Sequence, residues 1–119
     1  MTTNPIAELT LALREFARER DWDKFHTPKN LAMALMVEAA EIAEHFQWAG
    51  SGDPEVDAMT AEKREAVAME IADTMLYLLR LADVLKIDPV LAATRKMELN
   101  ASRYPIDKAY SRALKHDRL

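Results

Sequence analysis

The sequence predicts an all-α fold, and three observations carry that expectation. Of its 119 residues only two are glycine. Most of the five prolines follow a residue that caps helices, as in Asn4-Pro5, Thr27-Pro28 and Asp88-Pro89. Half of the residues are apolar, and they recur at helical rather than alternating spacing. A chain of this length forms one domain, with a core from about 5 to 104 and a polar tail from 105 to 119.

The elements follow in order. A first helix runs from Pro5 to about Arg20, its apolar stripe formed by Ile6, Leu9, Leu13 and Phe16. A loop, Asp21 to His26, leads to a second helix that starts at Pro28 behind the Thr27 cap and continues to about Trp48. The segment Ala49 to Pro54 is the clearest break, a loop by its turn residues. A third helix extends from near Thr60 to about Lys86, and a fourth from Pro89 to the Tyr104-Pro105 stop. The tail has room for a short helix. Helices two and three are apolar on nearly every side, and such helices must be covered all round. The expected assembly is therefore a homodimer or homotetramer built from four-helix, bundle-like protomers.

Composition excludes several function classes. A net charge of −4 and a pI near 5.4 argue against a nucleic-acid polymer as partner, because surfaces that track phosphates need a basic excess. No cysteine is present, which removes thiolate nucleophiles and sulfur-ligated metal centres. No secretory leader and no membrane-length apolar run is visible, so a cytoplasmic protein with no membrane partner is expected. The two glycines cannot supply a Walker loop or a dinucleotide fingerprint.

Against this background two acidic pairs stand out, Glu38-x-x-Glu41 and Glu70-x-x-Asp73. Residues three apart share a helix face, so each pair projects two carboxylates in one direction from an apolar stretch. At an effective dielectric near 20, two ionised carboxylates roughly 4 Å apart repel by about 4 kcal/mol. The bland alternative is a solvated face paired with Lys29 or Lys63. Two matching pairs, each within a stripe of apolar residues, favour a divalent cation instead, and all-oxygen ligation favours magnesium or manganese. A di-iron centre would need Glu-x-x-His pairs, and His45 stands four residues after Glu41. Magnesium holding a polyphosphate fits the hard ligands better.

The stretches Glu19-Arg20-Asp21-Trp22-Asp23-Lys24-Phe25-His26-Thr27-Pro28-Lys29-Asn30-Leu31 and Glu38 to Trp48 resemble the MazG-like nucleotide pyrophosphohydrolases, most closely the dCTP pyrophosphatase branch. Glu70 to Tyr77 and Lys96 to Asn100, with Arg103-Tyr104-Pro105, continue the resemblance, which covers roughly residues 10 to 106. The paired acids mark the wider superfamily; Trp-x-x-Phe-His-x-Pro and Phe-Gln-Trp are narrower. The resemblance implies hydrolysis of a nucleoside triphosphate, dCTP or a modified dCTP, to the monophosphate and pyrophosphate, in an oligomer of tight dimers. It assigns Glu38, Glu41, Glu70 and Asp73 to the metal, with Glu38 the candidate base for the attacking water. Trp22 and Trp48 resemble residues that enclose the base; Trp48 also falls on the Glu38–Glu41 stripe if the helix continues. His26, Tyr77, Lys96, Asn100 and Tyr104 are the remaining candidate substrate contacts, with Arg103 weaker. Glu44, His45 and Arg80 are read as structural or supporting groups. A broad NTP or dUTP pyrophosphohydrolase, or a silent nucleotide-binding helical dimer, are the competing readings.

Overall fold

Each long helix starts where a side-chain oxygen accepts one of the backbone N–H groups that a helix leaves unpaired at its N-terminus. The computed structural model describes residues 4–48 and 59–119. Asn4 accepts from the Ala7 N–H at 3.2 Å and opens α1, Pro5–Glu19. Thr27 accepts from Asn30 at 3.2 Å and opens α2, Pro28–Glu44. Thr60 accepts from Lys63 at 3.1 Å and opens α3, Ala61–Val84. Asp88 accepts from both Val90 and Leu91, at 3.0 and 3.1 Å, and opens α4, Pro89–Arg103. A short α5, Ile106–Ala109, occupies the tail. Among the described residues there is no strand, as the sequence predicts.

The chain divides into two compact units at Lys86–Ile87. In the first unit α2 packs along α3, and α1 packs on α3. Its buried apolar residues are Ala17 from α1, Leu31 from α2, and Val67, Leu79 and Ala82 from α3. The second unit holds α4 and the tail. There the Tyr104 hydroxyl accepts from the His116 N–H at 3.2 Å, and the two rings meet edge to face, which ties the chain end to α4.

One boundary differs from expectation. α2 stops at Glu44, not near Trp48. The N–H groups of His45 and Phe46 reach back three residues, to the Ile42 and Ala43 carbonyls. That tighter pattern ends the helix and takes Trp48 off the α2 stripe. The Ala49–Pro54 loop lies outside the described residues.

Much apolar surface stays open on the two packed helices. Met33, Met36 and Val37 on α2, and Met69, Ile71 and Leu78 on α3, are all exposed. No helix among the described residues is long and apolar enough to cross a membrane.

Candidate metal and nucleotide site

Glu38 and Glu41 occupy one turn of α2 and meet Glu70 from the facing α3. One oxygen of each lies within 4.8 Å of those of the other two. All three side chains are half-buried, and Glu38 and Glu70 each keep one buried oxygen with no hydrogen-bond partner. The Glu38 carboxyl is pushed up to about 7 by burial, then by its hydrogen bond to Glu41 and the charges of Glu41, Asp73 and Glu70. Glu70 is raised by its hydrogen bond to Glu41, by burial, and by the Glu41 and Asp73 charges, with His45 working the other way. Without a cation the cluster therefore has to share protons.

These residues fit a metal ion. Half-buried carboxylates with stranded oxygens offer lone pairs that nothing else satisfies, and a hard divalent cation takes such oxygens. Glu38, Glu41 and Glu70 would hold it. Asp73, one turn along α3 from Glu70, is more exposed and acts on both Glu38 and Glu70 through its charge.

Asp73 also lines a cavity of about 230 Å³, together with Leu13, Phe16, Trp22, His26, Leu76, Tyr77 and Arg80. The same residue thus borders the acidic cluster and a mainly apolar pocket. The pocket lies between α1 and α3, and the connector between α1 and α2 supplies Trp22 and His26 to its wall. Asp21 takes a left-handed backbone, φ 55°, that turns the chain off α1, and the Trp22 N–H donates to the Ala17 carbonyl at 2.9 Å. Asn30 Nδ2 donates to the Phe25 carbonyl at 2.9 Å and closes the connector onto α2. Trp22 then stands edge to face against Phe16 and His26, with centroids 5.7 and 6.3 Å away.

Of the residues singled out in the sequence, the structure brings Glu38, Glu41 and Glu70 into one cluster and Trp22, His26, Asp73 and Tyr77 into one cavity. Trp48 is not among the lining residues, and it is 91% exposed. Lys96 and Asn100 lie one turn apart on α4, and Tyr104 caps that helix, all in the second unit. Sequence reasoning missed the apolar pocket wall of Leu13, Phe16 and Leu76; it read Arg80 as a structural or supporting group but not as part of the pocket lining. The available signal for Arg80 was its place one turn past Tyr77, a charge in an otherwise apolar run.

The cluster makes a stability prediction. Glu38 binds its proton more tightly folded than unfolded, so its contribution is fully present below the ordinary carboxylate range. It is lost as pH rises through about 7. His26, held below its ordinary value by burial and by Arg80, works in the opposite sense. The comparison is therefore with Glu38→Gln, which keeps His26. In chelator, the parent's melting temperature should fall relative to that variant between pH 5 and pH 8. Parallel melting curves across that range would count against a proton-sharing cluster.

A family model described as the MazG-like family matches residues 33–119. The chain is 42% identical over 105 residues to human dCTP pyrophosphatase 1, covering 88% of this chain and 62% of that protein. It is 40% identical over 102 residues to the rat dCTP pyrophosphatase 1, covering 86% and 60%. It thus spans about six-tenths of the length of these relatives. Among solved structures, a pyrophosphatase from Archaeoglobus fulgidus DSM 4304 superimposes with a TM-score of 0.80 at 45% identity, covering 88% of this chain and 96% of that one. The helical fold, the paired acids and these matches together place the chain in the MazG-like family.

Proposed function

We propose that this protein is a magnesium-dependent nucleoside triphosphate pyrophosphohydrolase that converts dCTP, or a modified dCTP, to the monophosphate and pyrophosphate. Asp73 carries this reading, because it borders both a carboxylate cluster with unsatisfied oxygens and a cavity faced by an aromatic ring. A nucleotide requires that adjacency: the phosphates go to the cation, the base to the apolar pocket. The similar human and rat proteins are dCTP pyrophosphatases, which supports a cytosine base.

In this reading Glu38, Glu41, Glu70 and Asp73 hold magnesium, with manganese as a substitute. When bound, the cation neutralises triphosphate oxygens and makes water more acidic. Glu38 orients the attacking water and accepts its proton. The water oxygen bonds to the α-phosphorus, the α–β anhydride bond breaks, and its electron pair leaves with pyrophosphate. Trp22 stacks on the base, while His26 and Tyr77 offer polar contacts from the pocket wall. Trp48, Lys96, Asn100 and Tyr104 are proposed as further substrate contacts on the family resemblance alone. The activity belongs in the cytoplasm, with the nucleotide pool.

The test is product analysis after incubation with a panel of canonical and base-modified triphosphates. Pyrophosphate and the monophosphate should appear with magnesium and disappear with chelator, with cytosine bases preferred. Release of inorganic phosphate and a diphosphate would place the cleavage at the wrong bond.

The exposed apolar faces of α2 and α3 support a homo-oligomer, dimer or tetramer, because a lone chain leaves them in water. Light scattering at micromolar concentration should give at least twice the chain mass, and a monomeric mass would remove that argument.

A further inference from the structure

Arg80 is the one buried charged residue among those described, its side chain 9% exposed. Each of its three nitrogens donates to a named group. Nη2 donates to Asp23 at 2.8 Å, Nη1 to Asp83 at 3.2 Å, and Nε to the Nδ1 of His26 at 3.0 Å. Asp83 is in turn gripped by the Arg14 guanidinium through two hydrogen bonds. This chain of charges joins α1, the connector and α3, and it fixes the plane of the Arg80 fork.

A guanidinium has donors only. The His26 nitrogen that faces Arg80 must therefore be an acceptor, which leaves the ring's proton on Nε2. The fixed cation beside Nδ1 also opposes a second proton on the ring. The pocket holding His26 is walled by Leu13, Phe16, Trp22 and Leu76, with Asp73, Tyr77 and the ion-paired Arg80 as its other polar members. The apolar wall suits the face of a base and the few polar groups its edge.

We propose that Arg80 is a positioning residue that holds His26 as the neutral Nε2–H tautomer, so that the pocket presents a hydrogen-bond donor and selects a base with an acceptor on the edge it buries. A carbonyl oxygen or an unprotonated ring nitrogen, as on a cytosine-type base, meets that requirement. The substrate half of this inference rests on the nucleotide reading; the tautomer half does not.

The experiment uses the full chain with nitrogen-15-labelled histidine, read by long-range proton–nitrogen spectra without substrate, and His26 assigned by its loss in His26→Asn. At neutral pH the parent should show an unprotonated Nδ1 and a protonated Nε2. Arg80→Met should give tautomer-averaged signals and raise KM for dCTP by about three- to tenfold, the worth of one neutral hydrogen bond, with a smaller change in kcat. Arg80→Lys, which can still donate to Nδ1, should keep the tautomer and most of the affinity, and it serves if Arg80→Met does not fold. A protonated or averaged Nδ1 in the parent would overturn the proposal, as would a KM that stays put when the tautomer is lost. A parent chain that hydrolyses no triphosphate would count against the nucleotide reading alone, since the spectrum reads the ring without substrate.

Discussion

Glu41→Gln should reduce turnover by about a thousandfold, the consequence of losing several kcal/mol of charge stabilisation at the reacting phosphate, and the variant should fold as well as the parent. Glu41 stands between Glu38 and Glu70, and its hydrogen bonds to both help to raise them above the ordinary carboxylate range. A carboxamide there removes one charge from a like-charged cluster and still offers an N–H donor and an accepting oxygen to its neighbours. The metal-free variant should therefore melt no lower than the parent, and a gain of a few degrees is expected. Asp73→Asn should behave alike, since the Asp73 charge also raises Glu38 and Glu70. The pair of readouts separates the two roles an acid in such a cluster can have. A large fall in melting temperature in both variants would mark Glu41 and Asp73 as structural and would dismantle the metal centre.

Trp22→Ala should raise KM and flatten the preference among bases, while the magnesium dependence stays close to that of the parent. Trp22 lines the cavity and is 43% exposed, so its ring retains surface for a ligand while its edges rest on Phe16 and His26. A base stacked on an aromatic ring gains about 1–3 kcal/mol, which converts to roughly five- to 150-fold in affinity. In the proposed reading the carboxylates act on the other end of the nucleotide, so the metal dependence should be untouched. Steady-state kinetics on dCTP, dUTP and dATP at several magnesium concentrations would show the split. Unchanged KM and unchanged base preference would make Trp22 a packing residue only.

Where the fold was legible in the sequence, the signals were local. The caps at Asn4, Thr27, Thr60 and Asp88 act over two or three residues, and a capping side chain followed by proline is readable without knowing anything distant. The acidic cluster was legible for a related reason: each pair is one turn of one helix, and two such pairs have a physical need for each other or for a cation. The end of α2 was not legible. Neither glycine nor proline occurs between Lys29 and Ala49, so periodicity alone carried the helix on to Trp48, whereas the chain tightens into three-residue turns after Glu44. Arg80 was legible as a supporting charge, but its partners were not, for the opposite reason. Its partners Asp23 and His26 lie 57 and 54 residues away, and the meeting of α3 with the connector is a tertiary event that no spacing rule encodes. The pocket wall from α1 was hidden in the same way, because Leu13 and Phe16 read as ordinary stripe residues until the connector folds Trp22 beside them.

Glu38, Glu41, Glu70 and Asp73 are proposed to form a divalent-cation site. Titrating manganese into the nucleotide-free protein, with free ion followed by electron paramagnetic resonance, tests it most directly. The parent should deplete the free-ion signal saturably, magnesium should restore that signal in competition, and Glu41→Gln should leave it undiminished. Equal depletion by parent and variant, or none by the parent, would contradict the claim.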